Sequence, residues 1–200
     1  FNVLFNNGSA CDRAIEAGIM QALLAMLSSS SDECQLAAAD TLCSLLDQKG
    51  LPACDMAVTA GAVRPLAAML GSRNSRECII AAADALREIL FNWGSACSTA
   101  VAAEVIQPLV AVLGTSSSDE CQIAAAAALE TILDVDITRS MALAAGIVRP
   151  LVCMLKSSSK ECQLAAADVL VELSQTAQGA AAVAKAADSM ETVVGLLRTT

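Results

Sequence analysis

The sequence predicts an all-α solenoid, and two observations carry that prediction: a unit that returns every 42–43 residues, and apolar content supplied by small and aliphatic side chains. Apolar residues make up 56% of the 200 residues but aromatics only 2%, with no Tyr and no His. Alanine and leucine favour helices packed closely through small side chains, whereas a β-sandwich draws on β-branched and aromatic residues. The repeat is direct. CQLAAADTLCSLL from Cys34 returns as CIIAAADALREIL from Cys78, CQIAAAAALETIL from Cys121 and CQLAAADVLVELS from Cys162. The position of Gly18 recurs as Gly61, Glu104, Gly146 and a degenerate Asp188, at steps of 43, 43, 42 and 42.

Each unit reads as three helices. A short first helix, such as CDRAIEA from Cys11, stops at Gly18 or Gly61, where glycine permits a left-handed turn. A second helix follows with Pro65, Pro108 or Pro150 in its first turn, where the missing N–H costs nothing. After a Ser-rich loop the third and longest helix opens with Ser30-x-x-Glu33, Asn74-x-x-Glu77, Ser117-x-x-Glu120 or Ser158-x-x-Glu161, the pattern of a capping box. On that helix Cys34, Ala38, Leu42 and Leu45 share one stripe, as do Cys78, Ala82, Leu86 and Ile89. One unit cannot bury its stripe alone, so the units are expected to stack. The expected divisions are 1–8 (the end of a third helix), 9–50, 51–93, 94–136, 137–177 and a partial unit 178–200. Phe1 aligns with Ser44 and Arg87, and Thr200 with Ser30, so each end is expected to present an unfinished unit.

A short helix ending at Gly, a Pro-bearing second helix, a Ser-rich turn and a long third helix together resemble the armadillo repeat. The phrases EAGIMQALLAMLSSSSDECQLAAADTL and TAGAVRPLAAMLGSRNSRECIIAAADAL carry the likeness, which extends over nearly all of the chain. The resemblance implies a right-handed superhelix that binds extended peptides along a concave groove lined by third helices. In the nuclear-import adaptors of that family a Trp and an Asn repeat on this surface. The matching Trp positions here hold Asp40, Asp84, Ala127 and Asp168, and the Asn positions hold Ser44, Glu88, Thr131 and Glu172. Import-signal binding is therefore not expected. The basic groove of the catenin branch is absent too.

What stands there instead is an acidic ladder: Asp40, Asp84 and Asp168, with Glu88 and Glu172 one turn further on. Two readings stay open. Aligned carboxylates attract a Lys/Arg-rich extended peptide or cations, or they are a solvated face that keeps an Ala-rich helix soluble. Ser44 and Thr131 complete the set of groove candidates. The glutamates that open the third helices belong to capping and are kept apart from the ladder.

The remaining chemistry is mostly excluded. A net charge of −9 argues against nucleic acid and against an anionic membrane surface. No run reaches the ~18 apolar residues of a membrane helix. The first residues, FNVLFNNGSA, lack the basic start and cleavage pattern of a signal peptide. Without His or a Cys-x-x-Cys there is no metal site and no base for a nucleophile, so neither catalysis nor a cofactor is expected. Of nine cysteines, Cys34, Cys78, Cys121 and Cys162 share one repeat position, and Cys11, Cys54 and Cys97 another, with Ser140 in the fourth copy. They read as small inward-packed thiols, or as two sets paired in an oxidising compartment. Asn7-Gly8-Ser9 is a glycosylation sequon, of use only in a secreted chain. The serine clusters 28–31, 116–118 and 157–159 offer hydroxyls for phosphate or sugar, or are plain loop composition. Trp93 reads as a packing residue at a unit junction.

Two functions compete at this point. One is a non-enzymatic scaffold for protein–protein contact, with a basic extended peptide in the groove. The other is a structural subunit whose open ends self-associate head to tail into a filament, extracellular and glycosylated. The compartment stays open, with the cytoplasm favoured over an extracellular setting.

Overall fold

The computed structural model describes residues 18–71, 74–93, 99–116, 118–133 and 135–186, all in helices, turns or short connections. In chain order the helices are α1 (Ile19–Leu27), α2 (Asp32–Lys49), α3 (Leu51–Ala60), α4 (Val63–Met69), α5 (Arg76–Trp93) and α6 (Thr99–Thr115). They continue as α7 (Asp119–Glu130), α8 (Asp136–Ala144), α9 (Val148–Met154), α10 (Lys160–Ser174) and α11 over 177–186. The third helices α2, α5, α7 and α10 form a continuous seam, α2 on α5, α5 on α7 and α7 on α10. The second helices α1, α4 and α9 each pack on the third helix of their own unit, and α3 lies against both α2 and α5. The fold is an α-solenoid, each unit covered by its neighbours.

The predicted stripes are its core. Ala38, Leu42 and Leu45, and likewise Cys78, Ala82, Leu86 and Ile89, lose all contact with solvent. Burying one such Leu or Ile is worth roughly 2–3 kcal/mol, so Leu86→Ala would cost about 3 kcal/mol once the cavity is included. Alanine at Ala81, Ala82, Ala83 and Ala85, all buried, lets α5 sit close to helices on several sides.

The left-handed glycines are where the units bend. Gly61 closes α3 at φ +88°, and Gly146 turns α8 into α9 at φ +81°. The third unit differs from expectation. Glu104 stands at the glycine position there, and among the described residues only glycines have positive φ. No left-handed turn interrupts the chain, so the first and second helices fuse into α6, with Pro108 inside it.

The capping register also differs by one residue. The hydroxyls of Ser31, Ser118 and Ser159 accept from the backbone N–H of Cys34, Cys121 and Cys162, and Ser75 accepts from Cys78 at 3.3 Å. The helix start thus falls on the serine after the predicted one, and the third helical residue is a cysteine. Among the described residues no reciprocal glutamate box forms. Glu77 and Glu161, one position earlier, take a hydrogen bond from their own backbone N–H, which holds their carboxyls below the usual range. Asn74, predicted as a cap, instead donates to the Met69 carbonyl at 2.7 Å and closes α4. Ser117 lies outside the described residues, as do Asn7, Cys11 and Cys97 and the side chain of Trp93.

The units are stitched through these same helix starts. The Cys78 thiol donates to the Asp32 carbonyl (3.4 Å), Cys121 to the Arg76 carbonyl (3.7 Å) and Cys162 to the Gln122 side chain (3.5 Å). Cys54, Cys78, Cys121 and Cys162 are buried, while Cys34 is half-exposed. Ser140 departs from the inward position expected of it. It is exposed and bonds its own helix at Asp136, and the buried residue of that turn is Arg139. The one-residue shortening of the glycine interval from 43 to 42 moves the column by one place.

Candidate functional site

The candidate residues lie on the third helices, and their surroundings divide them. Asp40 on α2 and Asp168 on α10 are exposed; Asp84 and Glu88 on α5 and Glu172 on α10 are half-buried. Burial raises the Asp40 carboxyl above its ordinary 3.8. It raises Asp84 as well; Arg87 opposes that rise and the charge of Asp40 on the neighbouring helix adds to it. Asp40 and Asp84 therefore sense each other across the seam.

Two candidates are hydroxyls already engaged. Ser44 donates to the Asp40 carbonyl (2.8 Å), and Thr131 to the Ala128 carbonyl (2.7 Å). Thr131 lies just past the end of α7, which closes at Glu130 rather than continuing through the aligned TIL.

The ladder has more members than its two columns suggest. Arg87 on α5 holds Glu88 at 2.8 Å and lies 4.0 Å from Asp84, so one cation partly neutralises the first cluster. Beneath it the thiol of Cys43 is pushed up to about 12, by burial first and then by Asp84, Asp40 and Glu88. At the other end Glu130 on α7 is raised by burial and then by the charges of Asp168 and Glu172. Glu130 thus joins a second acidic cluster where Ala127 had left a gap. Its signal in the sequence was its spacing, three residues beyond the ladder position and on the same helix face. The same column reads Cys43, Arg87, Glu130 and Val171.

Glu172 is turned partly inward. Its carboxylate lies 3.9 Å from Arg139 on α8 and accepts from Gln175 at 2.9 Å. The surface therefore carries two acidic groups, Asp40–Asp84–Glu88 and Glu130–Asp168–Glu172, each with one arginine beside it. Such a surface attracts and orders cationic groups electrostatically. Among the described residues no group of three or more His, Cys, Asp or Glu could hold a metal ion. No single described helix is long and apolar enough to cross a membrane.

Residues 56–198 match the family described as the plant U-box protein ARM repeat region, and residues 11–47 match the armadillo/beta-catenin-like repeat. No curated protein matches. Among solved structures, 92% of the chain superposes on 77% of a computationally designed armadillo repeat protein for modular peptide recognition, at 22% identity and TM-score 0.78. A designed armadillo repeat protein in complex with peptide (KR)4 is similar over 92% of this chain and 77% of its own, at 21% identity and TM-score 0.77. An engineered protein is 28% identical over 99% of this chain and 79% of its own, with TM-score 0.78.

Proposed function

The chain belongs to the plant U-box protein ARM repeat region family, and from that premise we propose that it is a non-catalytic scaffold for protein–protein contact whose third-helix face takes a Lys/Arg-rich extended peptide. The observation that carries the peptide's chemistry is the pair of acidic clusters on successive third helices. The carboxyls of half-buried Asp84 and exposed Glu130, both raised above their ordinary range, gain when a cation arrives. Likeness to the designed protein in complex with (KR)4 is a likeness of fold, so the argument rests on this chain's own side chains.

An extended peptide suits a solenoid because both repeat at a regular spacing, so successive side chains meet equivalent positions. Exposed carboxylates contribute modestly one by one. Several acting together give steering and a steep dependence on salt. Arg87 and Arg139 keep the clusters from repelling themselves apart while leaving a net negative face.

The test is a fluorescence titration with an eight-residue Lys/Arg peptide at low and physiological salt. Binding that weakens at least tenfold with salt and falls several-fold in Asp40→Asn/Asp84→Asn and in Asp168→Asn supports the reading. Binding equal for a Lys/Arg and a Glu/Ser peptide would sink it.

A further inference from the structure

The two acidic clusters hold their arginines differently. In the first, Arg87 stands on the same helix as the two carboxylates it serves, with Nη2 at 2.8 Å from Glu88 and Nε at 4.0 Å from Asp84. Its side chain is 39% exposed, so the guanidinium can leave them for water without opening the seam. In the second, Arg139 comes from α8 and its side chain is only 8% exposed. Asp136 at 2.7 Å and Gln175 at 3.2 Å fix it there, with Glu172 at 3.9 Å. Glu130 and Asp168 lie outside its reach. Among the described residues no cationic nitrogen comes within 4.0 Å of either.

Without its arginine the first cluster would match the second. Each brings three carboxylates from two neighbouring third helices, Asp40 with Asp84 and Glu88, and Glu130 with Asp168 and Glu172. In the three columns that begin at Asp40, Cys43 and Ser44, Arg87 is the one cation, and it stands where the next unit has Glu130. That guanidinium has the chemistry of the proposed ligand itself. It is already seated on carboxylates that a peptide cation would seek.

We propose, resting on the basic-peptide reading above, that Arg87 is a resident competitor in the first subsite: it takes the place of a peptide Lys or Arg at Asp84 and Glu88, and so makes the Glu130–Asp168–Glu172 cluster the anchor of the bound peptide. A peptide cation arriving at Glu130 and Asp168 forms a new charge pair. One arriving at Asp84 and Glu88 must first displace Arg87, and exchanging one exposed pair for another gains little. The two ends of the face therefore differ in what they demand. The end at α7 and α10 requires a cationic side chain, whereas the end at α2 and α5 tolerates a neutral one. Arg87 is thus a specificity-determining residue that sets where along the solenoid a basic segment is held.

The test titrates the labelled eight-residue Lys/Arg peptide with the full chain and its variants at low salt, with circular dichroism confirming that each variant keeps its helices. Arg87→Gln should bind about two- to fivefold tighter, the scale of one exposed ion pair. Arg149→Gln, which removes the same charge from an exposed site on α9, should change affinity by less than about 1.5-fold. Asp168→Asn should cost more than Asp84→Asn in the unmodified chain, and the two costs should become equal once Arg87→Gln is present. In an Asp84→Asn/Glu88→Gln background Arg87→Gln should gain less than about 1.5-fold, because no pair is left to displace. Equal tightening in Arg87→Gln and Arg149→Gln, or no tightening in Arg87→Gln, overturns the proposal and leaves the peptide reading intact. Absence of salt-sensitive binding in both the unmodified chain and Arg87→Gln removes the peptide reading, and the proposal with it.

Discussion

Arg139 on α8 reaches Glu172 on α10 at 3.9 Å while its other amino group holds Asp136 at 2.7 Å, and its side chain is only 8% exposed. A candidate ligand residue is thus tied to a buried cation of the scaffold. Removing the guanidinium leaves Glu172 half in water and still bonded by Gln175, but without its cation. We expect Arg139→Met to cost about 1–2 kcal/mol by denaturant unfolding, because the contacts of a buried guanidinium with Asp136, Glu172 and Gln175 are lost while both carboxylates keep access to water. Glu172→Gln, with its partner still paired to Asp136, should cost about 1 kcal/mol or less.

The cap register makes a sharp mutational contrast. Ser31→Ala and Ser159→Ala should each lower stability by about 1 kcal/mol, since each hydroxyl serves a backbone N–H of a third helix. Ser30→Ala and Ser158→Ala, one residue earlier, should change it by less than 0.5 kcal/mol. Equal effects at both positions would contradict the observed caps.

Gly61 and Glu104 occupy the same place in successive units with opposite demands. Gly61→Ala meets no neighbour within 4 Å but forces a left-handed backbone, at about 1 kcal/mol. Glu104→Gly puts a flexible residue into the middle of α6, also about 1 kcal/mol, and removes the 3.0 Å contact with Arg64. Thermal unfolding of the two variants measures both.

The acidic face should make stability and peptide binding respond oppositely to pH. Folded Asp40, Asp84 and Glu130 carboxyls lie above their ordinary values, so in the free protein their ionisation is unfavourable. Their contribution to stability is fully present below the ordinary values and is lost as pH rises through the raised ones. At neutral pH Asp84→Asn should therefore stabilise the free protein slightly, by ~0.5 kcal/mol or less, because the group is half in water. Binding of a basic peptide should weaken as pH falls through the same raised values. Denaturant midpoints and peptide titrations across pH 4 to 7 test both arms.

Thiol reactivity should separate the cysteines. Cys153 is exposed, whereas Cys54, Cys78, Cys121 and Cys162 are buried and Cys43 is pushed up to about 12. Maleimide at pH 7 should label Cys153 at least tenfold faster than these five, as read by peptide mass mapping. Rapid labelling of Cys43 would mean that the seam between α2 and α5 opens.

The period of 42–43 residues, the three-helix unit, the inward stripes of Leu42 and Leu86 and the turns at Gly61 and Gly146 were legible before any coordinates, because each depends on residues within a few positions of one another. Asp40, Asp84 and Asp168 could be assigned to one column for the same reason. The fused α6 was not expected, although its signal stood at Glu104, where a left-handed turn would need glycine. The capping serines were misplaced by one residue, since neighbouring serines carry the same local signal and only hydrogen-bond geometry separates them. What sequence could not resolve was the balance of charge on the face. That Arg139 lies beside Glu172 and that Glu130 joins Asp168 across the seam both concern residues on different helices. Local periodicity sets which side of its own helix each residue occupies; how helices dock, and so which charges meet, is decided by packing.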